Sequence, residues 1–357
     1  MKRTLCLTAI SGLLMGCNLL LGTEPPVLRQ QGDGGAGGAA PVITGSGCGG
    51  DDVSFADGSG GSNSSVSTGG PVSSVCGDGS WAHWPPGGAH EYQVFTGPMM
   101  EDSVTDSLTG LDWQRRSAAA AASWSEAQAH CKLLKWAGKS GWRLPTRMEL
   151  LSIVDYSKAK PSVDGASFPD TSPEPYWTSS TSMYVPEPLG SAFWRVSFAD
   201  GATFPGMVGS DVGQIRCVRG GAPPLAGGGT NTCYRYEVTE TTARDVETGL
   251  TWERAASQQP LLRNDAAARC AALQSTAEPW RLPTIAELTS ILDDKKVDAP
   301  RLDPVAFPKG AANQGDWYWS STGDAATPSA AAWSIRILSG TVSELLSPGP
   351  AYVRCVR

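Results

Sequence analysis

The sequence predicts an α+β fold built twice in one chain, on three observations. A set of motifs recurs about 139 residues apart: Thr109-Gly110-Leu111-x-Trp113, Cys131, Trp142-Arg143-Leu144-Pro145-Thr146, Tyr176-Trp177, Trp194 and Arg216-Cys217-Val218-Arg219 return as Thr248-Gly249-Leu250-x-Trp252, Cys270, Trp280 to Thr284, Tyr318-Trp319, Trp333 and Arg354-Cys355-Val356-Arg357. Within each copy, stretches of helical period give way to runs that alternate with period two. Each copy also holds one cysteine in its first helical stretch and one in its last strand. A period this long marks two complete domains, not an array of small stacking units.

Each copy opens on extended chain that turns at Thr-Gly and re-enters a sheet at Leu-x-Trp. In the first copy a helix follows at Ser123-Trp124-Ser125-Glu126, a capping-box pattern that puts Trp124, Ala127, Cys131 and Leu134 on one face. In the second, Asn264 or its neighbour is the expected cap, with Ala267, Cys270, Ala271 and Leu273 on the buried side. A second helix starts after Trp-Arg-Leu-Pro-Thr, because Thr146-Arg147-Met148-Glu149 and Thr284-Ile285-Ala286-Glu287 are again capping boxes. Glu149 and Glu287 are therefore read as helix caps and not as general bases, and Asp155 and Asp293 as exposed residues closing those helices. The runs Ala192 to Phe198 and Ala332 to Ile337 alternate as strands, each followed by a Gly turn and a further strand. Two helices and then strands, closed from the first helix to the last strand, make a mainly antiparallel α+β domain with its ends together.

The two ordered cysteine pairs, Cys131 with Cys217 and Cys270 with Cys355, lie 86 and 85 residues apart. In an exported chain they read as disulfides. Closing such a loop stabilises by about 4 to 5 kcal/mol in the chain-entropy account. Cys48, Cys76 and Cys233 have no repeat counterparts, and Cys76 to Cys233 or Cys48 to Cys76 both stay open.

The start of the chain reads as an export signal, residues 1 to 16: Lys2 and Arg3, then an apolar core from Leu5 to Leu14. Leu14-Met15-Gly16-Cys17 resembles a bacterial lipobox, which implies lipidation of Cys17 and anchoring by acyl chains alone. Asn18 in place of an aspartate points to the outer membrane. Residues 17 to 80 are rich in Gly, Ser, Pro and Asp and too poor in large apolar side chains to fold. As a flexible coil they form a tether spanning on the order of 40 Å. The expected domains are residues 81 to 220 and 233 to 357, with a linker over 221 to 232.

The ordered motif set resembles the Lcl C-terminal domain family over residues 91 to 219 and 235 to 357. That resemblance implies two tandem C-type-lectin-like domains, a helix-to-last-strand disulfide in each, and adhesion to glycans, notably sulfated ones. The formal charge is −7, shared as −3, −2 and −2 over residues 1 to 90, 91 to 220 and 233 to 357. No domain carries the basic surplus of a nucleic-acid binder, and a polyanion would find at most a local patch. The Gly-rich tether also lacks a strict Gly-x-y period.

A binding role, to a glycan or to a surface protein, is thus expected, with an envelope scaffold that recognises a partner protein as the alternative. Two copies of one weak site would add avidity. Expected contacts are the unrepeated aromatics Trp81, Trp84, Trp136 and Tyr184, the cations Arg115 and Arg116, and the segments 181 to 191 and either 308 to 317 or 322 to 331. The repeated Trp113, Trp142, Trp177 and Trp194 are expected in the core. Lys132, Lys135 and Lys139 read as a solvated face. Neither a metal nor any other cofactor is expected, since calcium-site tripeptides and Cys/His clusters are absent from the sequence. A distant relation of the lectin-like fold to formylglycine-generating enzymes raises catalysis as another class. The histidines, however, are only His83, His90 and His130, and Ser179-Ser180 and Ser320-Ser321 have no evident base, so the expectation is not an enzyme.

Overall fold

The computed structural model describes residues 82, 84–97, 101–118, 120–182, 191–220, 235–275, 278–294, 296, 301–308, 317–325, 331–346 and 349–357. The signal segment with Cys17, the tether, the linker, Cys48, Cys76, Cys233, Trp81, His83 and Tyr184 lie outside the described residues. Among the described residues no helix is long and apolar enough to cross a membrane.

The first repeat contains β1 (Tyr92–Phe95), β2 (Ser103–Asp106), β3 (Asp112–Gln114), α1 (Trp124–Leu133), α2 (Arg147–Ser152), β4 (Pro175–Thr181), β5 (Ala192–Ser197), β6 (Thr203–Met207) and β7 (Val218–Arg219). The second contains β8 (Tyr236–Val238), β9 (Thr242–Asp245), β10 (Thr251–Glu253), α3 (Arg263–Ala271), α4 (Ile285–Ser290), β11 (Trp317–Gly323), β12 (Ala331–Arg336) and β13 (Val342–Leu346). All strand pairings are antiparallel, and the repeats match element for element up to the final strand.

The repeated motifs are the joints of each domain. Between β2 and β3, Asp106 accepts from the Leu108 amide at 3.0 Å and the Thr109 hydroxyl at 2.7 Å, and Gly110 takes a φ of +67° that a side chain would resist. The same turn recurs at Asp245, Thr248 and Gly249, whose φ is +76°. The Trp-Arg-Leu-Pro segment pairs with the last strand: Arg143 and Val218 exchange two backbone hydrogen bonds, as do Arg281 and Val356. Both Thr-x-x-Glu capping boxes form, and the same glutamates take a bidentate ion pair, Arg143 to Glu149 at 2.7 and 2.6 Å and Arg281 to Glu287 at 2.8 and 2.7 Å.

Each domain has two apolar clusters. One packs β-strand residues against the second helix, centred on Trp113, Leu150, Tyr176 and Phe198 in the first repeat and on Trp252, Leu288, Tyr318 and Ile337 in the second. The other surrounds a disulfide: Cys131–Cys217 with Trp142 and Trp177, and Cys270–Cys355 with Trp280 and Trp319. The Cα atoms are 5.5 Å apart in both bonds, well suited to the crosslink. The first arginine of each Arg-Cys-Val-Arg run is fully buried. Arg216 donates to the Gln114 and Arg115 carbonyls and to Ser117 and Thr171, over the Phe168 ring. Arg354 repeats this at the Glu253 and Arg254 carbonyls over Phe307.

The meanders of the two repeats join. Strand β13 pairs with β6 at Val342 and Thr203, producing one six-stranded sheet in the order β11-β12-β13-β6-β5-β4, with α2 and α4 packed together beside the seam. The halves thus form one body about a pseudo-twofold axis that relates Thr203 to Val342.

Two local expectations need correction. Helix α3 is capped at Leu262 without a side-chain bond, and its buried positions are Ala266 and Cys270, while Ala267 and Ala271 are exposed. The helix starts two residues earlier than a side-chain cap at Asn264 would place it, and Ala266 takes the buried place expected of Ala267. Asp155 and Asp293 are half-buried, because the chain beyond each helix turns back against the other repeat. Trp84, expected as a contact, packs into the first core with 5% of its surface exposed.

Candidate functional site

The seam between the repeats is chemically asymmetric. On one side Arg147, fully buried, lies 2.6 Å from Asp294, donates to the Gly340 carbonyl at 2.9 Å and stacks 4.2 Å over Trp194. On the other side the pseudo-twofold replaces Arg147 by Ile285 and Asp294 by Tyr156. Tyr156 packs edge-on to Trp333 at 5.4 Å and donates to the Gly201 carbonyl at 3.1 Å. Burial lowers the pKa of Arg147 and pushes the Asp294 carboxyl up to about 6, outweighing the pull of the Arg147 and Arg301 cations.

The side carrying Ile285 and Tyr156 opens into a cleft of about 490 Å³. The first repeat supplies three walls: the Trp84-to-His90 segment with Tyr92, the C-terminal turn of α2 through Val154, and the loop bearing Asp155, Lys158 and Asp164. The second repeat supplies Thr284, Ile285, Ala286 and Thr322. Clefts where two domains meet are preferred places for ligands.

Charge in this cleft is arranged around Tyr92. His90 stacks on its ring at 5.8 Å and holds Asp106 at 2.8 Å. Lys158 bonds Asp155 at 2.7 Å and lies 3.9 Å from Asp164. Burial works against the Asp155 carboxylate, but hydrogen bonds from Lys158 and Ser157 prevail and lower its pKa. Hydrogen bonding by Ser167 lowers that of Asp164. Asp106 is lowered likewise, its burial outweighed by His90 and Thr109. Burial first, and then Asp106, Asp164 and Asp155, drive the Tyr92 phenol above its ordinary range. All three carboxylates are thus ionised and act on one point.

Of the ligand contacts expected from sequence, Trp84 and Thr322 line the cleft, and the others among the described residues fall elsewhere. Arg115, Arg116 and Trp136 do come together, on Asp102, but as scaffolding. Arg115 bonds its carboxylate at 3.1 Å and reaches the Ser167 and Ala166 carbonyls. The Trp136 indole donates to its backbone carbonyl at 2.7 Å, and Arg116 lies 4.0 Å from its carboxylate. Of the three, Arg116 is the most open, with its side chain 38% exposed. Segments 181 to 191 and 308 to 317 lie mostly outside the described residues, and 322 to 331 is described at 322 to 325 and at 331. Lys132 and Lys135 are exposed, while Lys139 is tied to Asp112 at 3.0 Å over the Phe95 ring. Trp113, Trp142, Trp177 and Trp194 are all buried.

Sequence reading passed over Arg147, Tyr156 and Asp294, the residues that build the seam. Their signal was divergence: Arg147/Ile285 and Tyr156/Asp294 are unlike pairs inside otherwise matching runs. Compared with known families, the chain matches the Lcl C-terminal domain twice, over residues 102–219 and 241–357. No curated protein matches it.

Proposed function

The chain belongs to the Lcl C-terminal domain family through both of its repeats, and from that premise we propose a lipid-anchored protein of the bacterial cell envelope that recognises a surface ligand, a saccharide ahead of a protein. The two disulfides suit an extracellular or envelope setting, since such bonds persist in oxidising compartments. Cys17 in its lipobox supplies the anchor and the Gly-rich tether the standoff.

The observation that carries the binding role is the cleft closed by both repeats. The reading is of a recognition protein and not an enzyme. In support, the repeated serines serve the fold: Ser179 and Ser321 donate to the Pro145 and Pro283 carbonyls at 3.2 Å, and Ser320 to the Trp333 carbonyl at 2.5 Å. His90 is held by Asp106, away from those serines in sequence and in sheet.

A glycan array probed with the mature protein at low and high salt tests the proposal, alongside an Ala286→Trp variant that fills the cleft from the second repeat. Saccharide binding that is lost in Ala286→Trp supports it. Binding unaffected by that variant moves the site elsewhere, and silence across the array transfers the role to a protein ligand. Metabolic labelling with a fatty-acid analogue, absent from Cys17→Ala, tests the anchor.

A further inference from the structure

Resting on the cleft reading above, we propose that this cleft takes an ammonium-bearing group, and in a saccharide ligand a sugar with a free amine. The first argument is a charge count. Asp155 and Asp164 line the cleft with Lys158 between them, and His90, also on its wall, is paired with the fully buried Asp106 behind it. Even with His90 protonated, one negative charge is in excess.

The second argument is that the protein already places an ammonium there. Lys158 lies between Asp155 and Asp164, and its side chain is 47% exposed, so the carboxylate pair faces the opening and is not sealed by protein. A flexible surface lysine is a weak occupant, because exposed ion pairs contribute little and can be exchanged. An incoming amine with further contacts can share or displace it.

The third argument is the geometry of the walls. The cleft is lined by Leu151, Ser152, Ile153 and Val154, the C-terminal turn of α2, which brings apolar and hydroxyl surface and no cation. The opposite wall of Pro86, Gly87 and Gly88 carries no charge, and Ala286, Thr284 and Thr322 give the second repeat a neutral, hydroxyl-bearing face suited to a sugar ring. The duplicated position offers no equivalent: there Arg147 and Asp294 meet and fill the seam.

The test compares short oligomers of glucosamine with the same oligomers N-acetylated, titrated calorimetrically into the mature protein at a pH where the free amine is protonated. The charged oligomer should bind roughly tenfold or more tightly than the acetylated one. In Asp155→Asn/Asp164→Asn that preference should vanish. Lys158→Met frees both carboxylates from their resident ammonium and should tighten binding severalfold, a gain that misfolding cannot imitate. Equal affinity for both oligomers, abolished by Ala286→Trp, would overturn the ammonium inference and leave the cleft as the binding site. Failure to bind the charged oligomer, or binding indifferent to the aspartates and to Lys158, would overturn the inference as well. The cleft reading itself falls only if the ligand found on the array survives Ala286→Trp.

Discussion

Arg147→Met is the sharpest single perturbation of this molecule. The substitution keeps much of the side-chain volume over Trp194 but removes the guanidinium that lies 2.6 Å from Asp294 and bonds the Gly340 carbonyl. Both partners are at most 2% exposed, so water cannot replace the lost contacts. Taking one member from a buried ion pair costs about 3 to 5 kcal/mol, a large share of the 5 to 15 kcal/mol that hold an ordinary domain. With a urea slope of about 2 to 3 kcal/mol/M, the unfolding midpoint should fall by roughly 1 to 2 M. Two controls separate the ion pair from general damage. Arg147→Met/Asp294→Asn removes both charges and should recover about half of the loss, since no carboxylate is then stranded. The loss should also be smaller near about pH 5 than near about pH 8, because a stranded Asp294 escapes its penalty by taking up a proton. A midpoint within experimental error of the parent, or a loss equal at both pH values, would refute the reasoning.

Asp294 itself makes a second prediction. Its folded pKa of about 6 stands above the 3.8 of an unperturbed aspartate, so the folded state holds the proton more tightly. The resulting stabilisation is complete below the unfolded value and is lost as pH rises through the folded one. This displacement is worth about 3 kcal/mol, and Asp294→Asn should flatten the stability profile by about that amount between roughly pH 4 and 6 in urea melts across pH. Cys131→Ser/Cys217→Ser should lower stability by about 4 to 5 kcal/mol in the chain-entropy account, and the same change at Cys270 and Cys355 by a like amount, read from denaturant melts. Non-reducing peptide mapping should recover 131 with 217 and 270 with 355, and free thiols there would remove the claim. Gly201→Ala should destabilise by more than about 1 kcal/mol, because a φ of +97° and a Cβ driven into Tyr156 and Val154 both oppose it. At Gly110, φ is also positive but the space is open, so the same change there should cost less by thermal melt.

Much of the fold was legible because the chain states it twice. Motifs that recur at one spacing fixed the helix starts at Thr146 and Thr284, the disulfide partners and the buried tryptophans, since each rests on local chemistry: a capping hydroxyl, a Gly turn, an alternating run. Misplacement arose where the local signal was weak. Helix α3 is capped at Leu262, which has no capping side chain and lies two residues before Asn264, and Ala266 takes the buried place expected of Ala267. Trp84, singled out as a contact for want of a repeat partner, packs into the first core and also lines the cleft, a double placement that no local signal foretold.

The candidate site was least legible of all. It arises from tertiary placement: the end of α2, a loop from Asp155 to Asp164 and the N-terminal turn of α4 meet only because β6 and β13 share an edge. Sequence treated the repeats as beads on a linker, and under that picture no residue between them had reason to matter. Arg115, Arg116 and Trp136 gather on Asp102 away from the cleft, a grouping the sequence did not foretell because Asp102 gave no signal of its own.

The hydrogen-bonded seam at Val342 and Thr203 has a further consequence for how the molecule grips. Domains on a loose string adjust to whatever separation a target offers, whereas a pair welded edge to edge holds a constant gauge, like the jaws of a fixed caliper. The walls of the cleft come from both halves and so keep one width, and a target must match that width on arrival. Selectivity would then depend on the girth of the target as well as on its chemistry.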